Sequence, residues 1–473
     1  MEESTDNNNS SSVSSDKVEI YHANQSPYWP TVALSQSDQT VPFSATADTG
    51  PDDGVGPAVA ALFIVAEIAG AGILNLPYAV AETGWSGLAL LIVLAVMVTF
   101  SGTRLSQSWL ILEQLWPQYR TVNRAPYQNI AYRAFGKWCM RLLEASFQVT
   151  LLGAGVVYLL VIAGFVSDLW NEIGHGIPEI TFCEAVLMLG IILTPVTWLG
   201  SPKDFWWSSL VAVGTTMATL VVIVVQVVKA APTTNPVYTT PTLQSFSLGF
   251  GSILFSLGGA SMFPAIQNDM KNREKFSLSV ITGFVILDVM YMAVSATCYS
   301  ILGSDVPTNI LDVVTGPAGT VVTVLLLGHF LFAFVITVNP SMQSLEELLG
   351  VAHRFGLHRV ILRSVVMAGV TLTALLIPNF SQLLSLLGGA TVSMMSFICP
   401  PVFYWRLCSF TDPVTEQKVR TVSILQKLAL SGIVMLGVVG GTAATYSAIS
   451  AIIGGSNFNT TCFTASSFLG ANN

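Results

Sequence analysis

PAVAALFIVAEIAGAGILNLPYAVAE, residues 57–82, is apolar enough to cross a bilayer, yet Gly70, Ala71 and Gly72 interrupt it and Pro77 follows. A lipid-facing helix gains nothing from such an interruption, because each backbone group it frees is costly in hydrocarbon. Irregular backbone at that depth is tolerated only where it lines a cavity or is buried in protein, so the break reads as a binding site. A carboxylate, Glu67, stands just before it. The same figure returns as Gly259-Ala260-Ser261-Met262-Phe263-Pro264, against Gly72-Ile73-Leu74-Asn75-Leu76-Pro77. Paired interruptions at matching places in two halves point to the substrate site of a secondary transporter.

Composition agrees with a membrane location. Only 10% of the 473 residues are charged, 52% are hydrophobic and the mean hydropathy is +0.65, whereas soluble domains carry about 25% charged residues. No basic run or aromatic-interleaved patch suggests nucleic acid. The first 55 residues are polar and rich in Ser, Asn and Asp, without the apolar core of a signal peptide; they read as a disordered cytoplasmic tail.

Apolar runs of about 20 residues fall near 57–80, 85–107, 140–166, 180–198, 207–229, 246–267, 277–301, 318–339, 358–378, 382–405 and 426–453. The chain is thus expected to be an all-α polytopic membrane protein with eleven transmembrane helices. Lys and Arg gather on the cytoplasmic side. With the N-terminus inside, every one of the 19 basic residues except Lys229 falls there. The C-terminus, residues 455–473, is then extracellular or lumenal, in the plasma membrane or an endolysosomal one. Asn459 heads a sequon in that outer tail and is a candidate glycosylation site. Outward cysteines can oxidise, and Cys183 with Cys298 is the pair considered, against two unpaired thiols. The inner loop 108–139 holds a short amphipathic helix, with Tyr127, Ile130, Ala131 and Phe135 on one face, read as a packed connector.

GAGILNLPYAVAETGW (70–85) and SILFSLGGASMFPAIQNDMKN (252–272) resemble the signatures of the amino acid/auxin permease family, within the amino acid–polyamine–organocation superfamily. Asn339-Pro340 with Glu346 and Glu347, and Pro378-Asn379-Phe380, are weaker echoes. The likeness covers residues 55–453. It implies a 5+5 inverted-repeat transporter fold over 56–454, with broken helices 1 and 6: repeat one about 57–229, repeat two about 246–405, and an extra helix at about 426–453. It also implies transport of amino acids or close relatives, driven by protons or sodium.

An amino acid zwitterion entering a membrane needs both charges met. The half-helix beginning near Ala71 offers free N–H groups and a positive dipole end to the carboxylate; the carbonyls before it suit the ammonium group or a cation. Gly70, Ala71, Gly72 and Ile73, with Phe255, Ser256, Gly258, Gly259 and Ala260 across from them, form the expected substrate site. Gly70 and Gly72 are expected to supply unusual dihedrals and close approach, and Phe255 and Phe263 to cap the site. The alternative for these glycines is close helix packing. Ionisable groups at membrane depth are functional by default. Glu67 is the first choice for the coupling group, with His329 on the proton path and Thr337 a candidate cation ligand. For His329 a packing role weighs equally, and Asp288 reads as structural. Gln148 and Tyr158 are candidate substrate contacts or helix stitches. Ala66 and Glu67 stand where sodium-coupled relatives of the family often carry Asn, so protons are preferred to sodium. Beyond that cation no cofactor or metal is expected. The partners are an amino acid, the cation and the bilayer. Glu67 being the one carboxylate on helices one and six, and no guanidinium appearing there, a small neutral amino acid is the expected substrate. A transceptor that senses amino acids is the other class considered; no catalytic cluster or ion filter suggests an enzyme or a channel.

Overall fold

The computed structural model describes residues 54–120, 123, 125–173, 178–198, 206–231, 234–314, 316–351, 356–412, 416–454 and 462. The tail up to residue 53 and the sequon at Asn459 lie outside the described residues.

Because a chain in hydrocarbon must satisfy its own backbone groups, the apolar runs become helices. The first run is split into α1 (Pro57–Ile68) and α2 (Gly72–Thr83), bent by 64° at the break. Then come α3 (Ser86–Leu115), α4 (Pro126–Phe135), α5 (Lys137–Ile173), α6 (Phe182–Trp198) and α7 (Trp206–Ala230). The second broken run is α8 (Leu243–Ser256) and α9 (Phe263–Asn268). A Thr242–Ser245 capping box starts α8, and Pro264 sits in the first turn of α9, where its missing N–H costs nothing. They are followed by α10 (Phe276–Leu302), α11 (Gly316–Leu348) and α12 (Leu357–Leu376). Next, α13 (Phe380–Leu387) runs through a π-helical stretch, Gly388–Ile398, into α14 (Cys399–Cys408), and α15 (Ile424–Gly454) closes the order.

Among the described residues eight helices are long and apolar enough to cross a membrane, and the bent α1–α2 pair makes nine. All eleven expected runs are helical, but two fall short on length: α6 has 17 residues, and α8 and α9 are only 14 and 6. Outward faces carry exposed aliphatics such as Val96, Ile191, Val289 and Val439, as lipid contact requires. The core lies around α1, α2 and α8, where α8 passes so close to the π-helical stretch that a methyl group on Gly388 would overlap the carbonyl of Gly251.

Among the described residues, three buried ion pairs centred on two carboxylates tie helices together. Arg273, after α9, donates to Glu113 of α3 at 2.5 Å. Glu346 of α11 accepts from Arg359 at 3.0 Å and Arg363 at 2.5 Å, both on α12. Val55, entering α1, exchanges backbone bonds with Asp269 and Lys271 after α9, so the two half-helices share one base. The loop helix α4 buries Tyr127, Ile130 and Ala131 as expected, whereas Phe135 is exposed and Ala134 takes its place on the buried face.

The disulfide differs from the expected pair. Cys183 joins Cys462, with Cα atoms 5.5 Å apart, and Cys298 is a buried free thiol inside α10. The backbone of Cys462 donates to the Leu375 carbonyl at the end of α12. Peptide mapping under non-reducing conditions is expected to recover the Cys183–Cys462 cross-link. Cys462→Ser should remove it and cost about 2–4 kcal/mol of stability, while Cys298→Ser leaves it intact.

A candidate substrate cavity at the two helix breaks

The chain between α1 and α2 turns at Ala69, with ψ at 47°. The N–H of Gly70 reaches back to the Ile68 carbonyl at 2.8 Å. Among the described residues no acceptor takes the N–H of Ala71 or Gly72, and no donor reaches the carbonyl of Glu67. These groups border a cavity of ≈ 70 Å³ lined by Glu67, Gly70, Ala71, Gly72, Phe255, Gly258, Gly259 and Thr337, all named from the sequence. Glu67 sits mid-bundle yet is exposed; it lines this internal space.

Three expected substrate contacts do not line the cavity. Ser256 donates to the Gly72 carbonyl at 3.0 Å and the Ser252 carbonyl at 2.9 Å, so it ties α8 to the first break. Ile73 and Ala260 are packed in the core. Phe263, expected as a cap, is buried edge-on against Phe276 and Phe284. His329 lies outside the lining; its Nδ1 is 3.2 Å from the Thr215 hydroxyl on α7. Asp288 faces a groove between α3 and α10, away from the cavity.

The glycines serve proximity, not dihedral freedom. Neither Gly70 nor Gly72 has a positive φ. A Cβ on Gly70 would stand 2.5 Å from the Tyr158 Oη, and one on Gly72 2.8 Å from the Ser256 Cα. A Cβ on Gly258 would meet Val392, and one on Gly259 would meet Ile68. Close packing is thus what the second pair provides.

Other lining residues come from elements that the sequence motifs do not mark. Thr150, Leu151, Ala154, Val157 and Tyr158 form one face of α5, at a spacing of one, four, seven and eight that helical periodicity could have revealed. Tyr158 lines the cavity together with Thr337 of α11. Val392, Met395 and Ser396 come from the π-helical stretch. There the shifted bonding pattern leaves carbonyls for outside donors: Tyr127 of α4 donates to Met395 at 2.6 Å, and Ser101 of α3 to Ser396 at 2.5 Å. Tyr291 of α10, buried, places its hydroxyl 3.1 Å from the Ile68 carbonyl and 3.0 Å from that of Ser256. One hydroxyl thereby serves the last residues of both α1 and α8.

Side-chain hydrogen bonds join the elements around the cavity in two groups. Asn75 donates to Thr308 at 2.9 Å and accepts from Ser381 at 3.4 Å in one. In the other, Ser341 donates to Gln148, and Ser344 to Glu144 at 2.7 Å.

Residues 55–450 match the family described as transmembrane amino acid transporter protein. The chain is 25% identical to amino acid transporter AVT3B of Arabidopsis thaliana over 81% of its own length and 91% of that protein's. It is 25% identical to AVT1D over 81% and 68%, and 31% identical to AVT3C over 44% of each, both also Arabidopsis amino acid transporters.

Proposed function

The chain belongs to the transmembrane amino acid transporter family, and from that premise we propose that it carries small neutral amino acids across a membrane, coupled to protons, by alternating access. The family is one of transporters and not of enzymes. The observation that carries the finer reading is the cavity between the two breaks. The free N–H groups of Ala71 and Gly72 open α2, where a helix dipole favours a carboxylate. The Glu67 carbonyl and carboxyl are at hand for the ammonium group.

Size and lining support a small, uncharged side chain. A water needs roughly 10–15 Å³ of such space, so ≈ 70 Å³ holds about five or six water-sized atoms, the scale of glycine or alanine. No Lys or Arg is among the lining residues. Coupling by protons rather than sodium is supported by how the oxygens are engaged. The Ile68 carbonyl already accepts from Gly70 and faces Tyr291. Glu67 remains as a group that can bind and release a proton. Two inverted repeats of five helices, with α15 as an eleventh span, fit the matched breaks, and the basic residues favour a cytoplasmic N-terminus.

Uptake by the purified chain in proteoliposomes tests this. With an imposed pH gradient, labelled glycine or alanine is expected to accumulate, while lysine, glutamate and tryptophan are not. A sodium gradient alone should drive nothing. Sodium-driven accumulation would replace the proton reading, and accumulation of a charged or bulky amino acid would overturn the substrate class.

A further inference from the structure

A cationic hollow opens where basic residues gather, between α3, α14 and the loop before α15. It measures ≈ 530 Å³ and is lined by Arg104, Lys418, Arg420, Gln107 and Gln426 among others. No carboxylate is among the described residues lining it. Lys418 and Arg420 are exposed, on a short turn held by backbone bonds from Val419 to Phe410 and from Asp412 to Gln417. Arg104 is held more firmly. Its guanidinium lies over the Phe100 ring at 4.7 Å and the Tyr404 ring at 5.3 Å, and donates to Gln107 at 2.8 Å. Its Nε is buried without a partner.

Arg104 and Gln107 also line a second space, a groove of ≈ 510 Å³ between α3 and α10. Its walls are mostly apolar, with Val96, Phe100, Ile281, Phe284 and Val285, and Asp288 stands at the end away from Arg104. Val96, Ile281 and Val285 are exposed on the surface that faces lipid. From Ser277 to Asp288, the groove's extent on α10, the helix rises about 16 Å, close to half of the ~30 Å hydrocarbon core. The groove therefore has the depth of one leaflet, and its shallow end is the cationic hollow.

We propose that these two spaces form one binding site for an anionic glycerophospholipid, the phosphorylated headgroup held by Arg104, Lys418 and Arg420 and an acyl chain lying between α3 and α10. Basic hollows at the inner membrane surface suit such headgroups. The rings under Arg104 fix its plane, and a guanidinium so fixed presents its donors to phosphate in a set geometry. The continuity of charge and grease through Arg104 distinguishes this site from a place for a free anion. α3 also donates, through Ser101, to the carbonyl of Ser396 beside the cavity, so an occupied groove bears on a helix that touches the transport site.

Native mass spectrometry of the full chain, purified in detergent, tests the site with phosphatidylinositol phosphate, phosphatidylcholine and soluble inositol bisphosphate. Wild-type protein is expected to retain one phosphatidylinositol phosphate in preference to phosphatidylcholine. Lys418→Ala with Arg420→Ala should weaken that binding about 30-fold, the equivalent of ~1 kcal/mol for each basic residue removed. Val285→Trp, which puts an indole into the groove from an exposed position, should weaken it about fivefold or more, ~1 kcal/mol. Equal retention of phosphatidylcholine, or binding unchanged in the double variant, would overturn the proposal. So would full competition by inositol bisphosphate with Val285→Trp indifferent, which would make the hollow a soluble-anion site.

Discussion

Glu67→Gln is expected to reduce accumulation driven by a pH gradient from about 100-fold to none, while exchange of labelled for unlabelled substrate continues. Across two pH units one coupled proton carries about 2.7 kcal/mol, at 1.36 kcal/mol per unit, which sustains a roughly 100-fold substrate ratio. An uncoupled carrier reaches a ratio of one. Glu67 is the carboxyl among the described residues lining the cavity. Gln preserves its shape and one carbonyl oxygen but takes up no proton. The exchange assay separates coupling from architecture, since exchange needs the cavity and its movement but no net proton transfer. Loss of both activities would mean that Glu67 braces α1. Retention of pH-driven accumulation would move coupling elsewhere, and His329, facing Thr215, would be the next residue to test.

The breaks were legible because a break in hydrocarbon has few explanations. Gly70 to Gly72 and Gly258 to Ala260 are local patterns, and both fall in or beside the non-helical backbone. The hydropathy runs likewise reappear as helices, since the 20-residue scale is imposed by the bilayer. What escaped depends on pairs distant in sequence. Tyr291 looks like any aromatic on an apolar helix, and only the crossing of α10 with both breaks gives its hydroxyl two carbonyls. The π-helical stretch carries no distinctive residue beyond Gly388 and Gly389. The Cys183–Cys462 pairing is hidden for a related reason: sidedness narrows the choice of outward cysteines, but it does not give the distance that decides pairing. Ser256 adjoins the break and so reads as a substrate contact, whereas its hydroxyl is engaged by the Gly72 and Ser252 carbonyls.

Gly70→Ala is expected to cut uptake by roughly five- to 100-fold, and Tyr158→Phe in the same chain to restore most of it. The added methyl would stand 2.5 Å from the Tyr158 Oη but 3.5 Å from Cζ and 3.8 Å from Cε1, so only the oxygen blocks it. Tyr158 cannot simply swing aside. Its ring packs against Phe330 at 5.6 Å. Overpacking of this kind costs about 1–3 kcal/mol, which sets the range given. Tyr158→Phe alone removes only a hydroxyl at the cavity wall and should be the milder variant. Gly72→Ala is the control without a remedy, because its methyl meets the Ser256 Cα at 2.8 Å and no side-chain change moves a backbone. If Gly70→Ala stays inactive with Phe at position 158, the glycine supplies room for the substrate itself rather than for the tyrosine. The break would then be a contact surface for the ligand at Gly70, and Tyr158 only its neighbour.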